Sequence, residues 1–192
     1  MKLVLASTSK IKNEILNKVG MKHSNVKSNF EEVSNNKENV YEYVKELAYG
    51  KACNACTDDK TIILGLDTVV YVNGKILEKP KSIDEAKQNL KICSSNTSYV
   101  ITGIALINKY NNQVINDYAE TKVILNDICD EDIEYYIENE PDVMYASGFV
   151  IETIASNFIK KIDGSFYNIL GVPVEKIYEY LKDWNIHLKD FE

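Results

Sequence analysis

Thr61-Ile62-Ile63-Leu64-Gly65-Leu66-Asp67-Thr68-Val69-Val70-Tyr71-Val72, followed at once by Asn73-Gly74 and a short run through Leu77, decides the reading of the fold. It is the strongest strand signal in the chain. Asn-Gly between extended runs marks a hairpin, because a type I′ turn needs positive φ at both central positions. The same stretch holds an aspartate among apolar neighbours. Burying an ionised carboxylate is costly unless a cation or hydrogen bonds compensate, so Asp67 either caps a neighbouring loop or carries chemistry.

Working outward, residues 2–6 form a short apolar run ending at Ser7-Thr8-Ser9, all helix-capping types. Ile11, Ile15, Leu16 and Val19 then recur at helical spacing, and Gly20 closes the segment. A short strand is expected around Val26 to Phe30, and residues 31–39 read as a polar loop. Val40, Val44, Leu47, Ala48, Ala52 and Ala55 mark a second amphipathic helix with Lys51 on its apolar stripe. Downstream, a helix starts at Ser82 and strands run over 98–108 and 113–125 about a polar turn. A short acidic helix spans 130–138, 141–157 is irregular, and a strand lies near 158–162. Pro173 opens a last helix with Val174, Ile177, Tyr178 and Leu181 inward. Strands, helices and hairpins mixed in this way predict a mixed α/β chain rather than a doubly wound parallel one.

With 192 residues, one domain over 1–192 is expected. A net charge of −7 without a long cationic run argues against nucleic-acid polymers and anionic membranes as partners, while leaving room for a small polyanion in a local basic pocket. No apolar stretch approaches the roughly 18 residues of a membrane span. Leu3 to Ala6 is too short for the apolar region of a signal peptide, so the cytoplasm is the expected location. Cys53, Cys56, Cys93 and Cys129 are read as free thiols. All 22 basic residues are lysine, so a lysine standing for an arginine needs no special explanation here, whereas an apolar residue does.

Other candidates come from residues that packing alone would not place. Lys79 precedes Pro80 just beyond the hairpin, where a rigid backbone could aim its ammonium at Asp67. Lys51 lies on an apolar stripe, where a lysine can also simply snorkel. Ser7 to Lys12 puts hydroxyls, backbone N–H groups and ammoniums at a helix N-terminus, an anion site in general form, though a plain N-cap explains the serines nearly as well. There is no Walker-type loop, and His23 and His187, the two histidines, are poorly placed for a nucleophilic triad.

Taken in order, these pieces resemble the Maf family. The resemblance rests on Leu3-Val4-Leu5-Ala6-Ser7-Thr8-Ser9, Phe30-Glu31-Glu32, Leu47-Ala48-x-x-Lys51-Ala52 and Gly65-Leu66-Asp67-Thr68-Val69-Val70. It continues through Glu78-Lys79-Pro80, Val100-Ile101-Thr102-Gly103, Glu120-Thr121-x-Val123 and Gly164-Ser165-x-Tyr167-Asn168-Ile169-Leu170-Gly171-Val172-Pro173. It implies a house-cleaning nucleoside triphosphate pyrophosphatase, historically linked to septum formation. The implied fold is an elongated mixed sheet flanked by helices, with two lobes around a central cleft, similar to inosine triphosphatases, and commonly a homodimer. It implies Asp67 as the carboxylate that takes a proton from water, Glu32 as an acidic residue for metal and water, and Lys51 and Lys79 as active-site lysines. Ser7, Ser9 and Lys12 match the phosphate-binding turn, and Mg²⁺ or Mn²⁺ would be held by Glu32 and Asp67.

The pattern breaks at the positions that the resemblance links to base choice. Ile11 stands where the dTTP/UTP type has arginine and an m7GTP-type member has tryptophan. Glu152 follows the m7GTP type and Thr68 the dTTP/UTP type. Ser98 replaces an expected histidine, and Ala146-Ser147-Gly148-Phe149 departs from Ala-Gly-x-Tyr. The expectation is hydrolysis of a nucleoside triphosphate to monophosphate and pyrophosphate, with dTTP/UTP slightly ahead. The alternatives are an m7GTP-type enzyme and a catalytically weakened nucleotide-binding regulator of division.

Overall fold

The hairpin read from Asn73-Gly74 is present: Asn73 and Gly74 have φ of 49° and 80°, and Val70, Tyr71 and Val72 pair antiparallel with Leu77, Ile76 and Lys75. The computed structural model describes residues 1–31, 38–58 and 60–192. The strands are β1 (Leu3–Leu5), β2 (Ser24–Asn25), β3 (Ile62–Val72), β4 (Lys75–Leu77), β5 (Thr97–Asn108), β6 (Gln113–Leu125) and β7 (Ile159–Asp163). They form one mixed sheet in the order β2-β1-β3-β5-β6-β7, with β4 on β3. β1 is parallel to β2 and β3, whereas β6 and β7 are antiparallel. The helices are α1 (Lys10–Lys18), α2 (Val40–Cys53), α3 (Ile83–Cys93), α4 (Asp130–Asn139), α5 (Phe166–Ile169) and α6 (Val174–Asp183).

The chain divides into two compact units. The first comprises Met1–Thr68, Ile101–Ala119 and Tyr167–Glu192, the second Val69–Val100 and Glu120–Phe166. In the first, alternation along β3 sends Leu64 and Leu66 into a core with Ile15, Leu16, Ile104 and Ile177. Ile63 points the other way, into a cluster with Ala48, Ala52 and Ala105 of α2 and β5. Small residues bring α2 unusually close to the sheet. A Cβ on Gly65 would lie 2.2 Å from the Ala48 carbonyl oxygen, and one on Gly103 would lie 2.0 Å from that of Val44. In the second unit α3 packs on α4, and the buried Tyr136 hydroxyl accepts a 2.9 Å bond from the Val150 N–H.

Three local expectations are corrected. The strand placed at Val26 to Phe30 is two residues long and lies earlier, at Ser24–Asn25. Beyond it Ser28 forms only a bridge to Ala55, and its hydroxyl accepts from the Phe30 N–H at 3.2 Å, turning the chain out of the ladder. Ile11 is 45 % exposed, because the core-facing stripe of α1 begins at Ile15. Tyr178 is also exposed, since Ile177 and Leu181 already occupy the inner face of α6.

Candidate active site

In the first unit, the close seat of α2 on β3 delivers Lys51 to Asp67. The Lys51 Nζ stands 2.5 Å from Asp67 Oδ1, with the two side chains 19 % and 10 % exposed. The two glycine contacts explain this reach. A bulkier residue at 65 or 103 would lift α2, and the ammonium would leave the carboxylate. Lys51 is the one hydrogen-bond partner of Asp67 among the described residues, so the carboxylate keeps unused acceptor capacity. A nearly buried carboxylate with one cation and a spare oxygen suits taking up a proton or holding a cation.

At the head of α1, Ser9 is the N-cap, and its hydroxyl accepts from the Lys12 N–H at 3.5 Å; the Ser7 hydroxyl accepts from the Ser9 N–H at 3.1 Å. The N-cap reading therefore holds, and it does not exhaust the turn. Each hydroxyl accepts through oxygen and retains its own proton for donation, at the positive end of a helix. The Lys12 Nζ donates to the Leu66 carbonyl oxygen at 2.9 Å, which ties this turn to β3 one residue before Asp67. Asp67, Lys51, Ser7, Ser9, Lys12 and Thr68 thus all belong to the first unit.

Lys79 and Glu152 belong to the second unit and are exposed. Glu32 lies outside the described residues. Among the described residues no three His, Cys, Asp or Glu side chains cluster as a metal site. No helix among them is long and apolar enough to cross a membrane.

Two further polar residues carry little sequence signal. Glu140 is 3 % exposed and accepts from the Thr153 hydroxyl and, at 3.1 Å, from the Asp142 N–H; it thereby anchors the turn that presents Glu152. Thr102 is fully buried on β5, its Oγ1 3.1 Å from that of Thr68. A glutamate ending an acidic helix and a threonine in a strand look like surface and β-former, respectively.

The sequence profile of the Maf-like protein family matches residues 2–184. This chain belongs to the Maf-like family. A dTTP/UTP pyrophosphatase of Clostridium perfringens strain SM101 is 36 % identical over 189 residues, covering 97 % of this chain and 98 % of that protein. Another, from Alkaliphilus oremlandii, is 38 % identical over 177 residues, 91 % of this chain and 92 % of that one. A solved nucleoside-triphosphatase / dITP/XTP pyrophosphatase of Mycobacterium abscessus overlaps 67 % of this chain and 76 % of its own at 14 % identity, with a TM-score of 0.42.

Proposed function

We propose that this Maf-like chain is a divalent-metal-dependent nucleoside triphosphate pyrophosphatase acting on dTTP and UTP, with Asp67 as general base. The observation that carries the reading is the nearly buried Asp67, held by Lys51 and left with an unused oxygen. The dTTP/UTP pyrophosphatases that share over a third of its residues across nearly its whole length support the substrate class.

In this reading Asp67 orients a water and takes its proton as the water oxygen bonds to the α-phosphorus. The α–β bridging P–O bond breaks and pyrophosphate leaves. Phosphoryl chemistry of this kind needs positioning and charge neutralisation more than covalent catalysis. Lys51 fixes the carboxylate, the Ser7 and Ser9 hydroxyls donate to phosphate oxygens, and Lys12 and Lys79 neutralise phosphate charge. Mg²⁺ or Mn²⁺, held by Asp67 and Glu32 together with substrate phosphates, would supply the remaining neutralisation. One or two carboxylates plus phosphates is an ordinary donor set for such a hard cation. Thr68, Ile11 and Glu152 are the positions at which the base is read.

The test is pyrophosphate release by the purified protein from dTTP, UTP, CTP, GTP and m7GTP, with Mg²⁺ and then Mn²⁺. Release from dTTP and UTP that disappears on chelation is the expected result. A pure, folded protein that releases none from any triphosphate refutes the reading.

A further inference from the structure

α2 is gripped from two sides over the turn that carries Lys51. Against the sheet, Gly65 and Gly103 admit the carbonyl oxygens of Ala48 and Val44. Gly50 stands two residues from both Ala48 and Ala52, about 160° round the helix from either, and so faces away from them. There the ring of Phe30 lies on it. A Cβ on Gly50 would fall 2.4 Å from the Phe30 Cε2 and Cζ and 2.8 Å from its Cδ2, so only glycine lets the ring down onto the helix backbone. A glycine inside a helix costs stability relative to alanine. Here the ring contact is what it makes room for.

Phe30 is held in that seat by the segment it belongs to. Ser28 bridges to Ala55, the Asn29 N–H donates to the Asn54 carbonyl oxygen at 3.4 Å, and the Phe30 N–H donates to the Ser28 hydroxyl at 3.2 Å. Asn54, the C-cap of α2, donates its own N–H and its Nδ2 to the Gly50 carbonyl oxygen, at 3.1 and 2.9 Å. These contacts bind residues 28–30 to the last turn of α2. Lys51 sits in that turn, and helix ends fray unless they are tied down.

We propose that Phe30 is a positioning residue: pressed onto Gly50, its ring clamps the last turn of α2 and keeps the Lys51 ammonium on Asp67. The pair has little tolerance for movement. Lys51 reaches across from α2 to β3, and every widening of the gap weakens the attraction between the two charges and lets water in. Only the kinetic consequence rests on the pyrophosphatase reading above: with Lys51 displaced, Asp67 loses the partner that fixes it. Misplacing a reacting group in this way lowers kcat more than it changes KM.

The test compares the full-length wild type with Phe30→Ala, Gly50→Ala and the double variant. Lysines are acetylated briefly with acetic anhydride and read peptide by peptide in mass spectrometry. Lys51, 19 % exposed and paired, should label about fivefold faster in either single variant, with Lys176 of the same unit unchanged. With dTTP or UTP as substrate, kcat should fall about tenfold in both, while KM stays within about twofold. The double variant should be no worse than either single one, because one clamp is lost only once. Alanine at 50 also favours the helix. In the Phe30→Ala background it should therefore raise the melting temperature, whereas alone it must evict the ring.

Lys51 labelling that is unchanged in both single variants overturns the proposal, whatever the activity. So does labelling that rises equally at Lys176, the mark of general loosening, or losses that add in the double variant. Faster Lys51 labelling with kcat kept, or with only KM raised, overturns Phe30 as a positioning residue. If Phe30→Ala fails to fold, Gly50→Ala alone carries both readouts. A wild type that releases no pyrophosphate removes the pyrophosphatase reading, while the labelling still decides the clamp.

Discussion

Two lysine–aspartate pairs sit in the same structural unit and have been built to opposite ends. Lys176 and Asp117 join α6 to β6 at 2.9 Å. Asp117 there also accepts from the Tyr180 hydroxyl and, at 2.8 Å, from the Tyr118 N–H, while the Lys176 ammonium lies 5.5 and 5.8 Å from the centres of the Tyr118 and Tyr180 rings. Both oxygens of that carboxylate are answered within the protein. Lys51 and Asp67 are closer, at 2.5 Å, and far less exposed, yet Asp67 has no second partner among the described residues. The first pair is closed and fastens a helix to a strand. The second is open, and an open, nearly buried carboxylate has something left to offer a substrate. Counting partners separates a brace from a candidate site where residue types do not.

The sharpest way to break this contrast is to neutralise each aspartate in turn. Asp67→Asn should lower kcat for pyrophosphate release by about a thousandfold, as for loss of a general base, with circular dichroism unchanged. Asp117→Asn should leave kcat within about twofold, because nothing ties it to the reacting atoms. Equal turnover in the Asp67 variant and the wild type would refute its role.

Next come the lysines. Lys51→Met leaves a nearly buried carboxylate without its cation and should cost about 3 kcal/mol in urea unfolding. Lys176→Met should cost about 1 kcal/mol at most, since its pair is about a third exposed and Tyr180 and Tyr118 still serve Asp117. Comparable losses would erase the distinction between open and closed pairs.

The smallest effect is one of pH. Burial pushes the Asp117 carboxyl up, but the bonds from Lys176, Tyr180 and the Tyr118 N–H outweigh it and hold the group below the usual aspartate range. A carboxylate lowered in the folded state contributes stability that is complete above its ordinary value of about 4 and is lost as pH falls through the lowered one. The melting temperature of Asp117→Asn should therefore approach that of the wild type in acid and lie below it at neutral pH. A gap that persists unchanged into acid would show that the asparagine acts through packing. Burial, and the bond to Asp117, raise the Tyr180 phenol in the same cluster, so it stays a donor throughout this range.

Most of the fold was legible in the sequence because its signals are local. The Asn73-Gly74 turn needs two positive φ angles and has the residues that adopt them. Ser82 caps α3 by accepting from Glu85, and the strands over 98–108 and 113–125 came within a residue of their observed ends. The short α5 and the early, two-residue β2 were not legible, since too few residues are involved for any period to show. Of the site, Asp67 was conspicuous because an ionisable group inside an apolar strand has a cost that must be met somewhere. What met it was decided only by tertiary structure. Lys51 lies 16 residues away on another element, and it reaches Asp67 because Gly65 and Gly103 let α2 rest on the sheet. The Thr68–Thr102 contact joins separate strands and likewise left no local trace. Sequence determined which residues bend, cap and alternate, because those preferences belong to neighbours along the chain. Folding alone determined how many partners each polar atom has, because those partners come from distant segments, and that count divides Asp67 from Asp117.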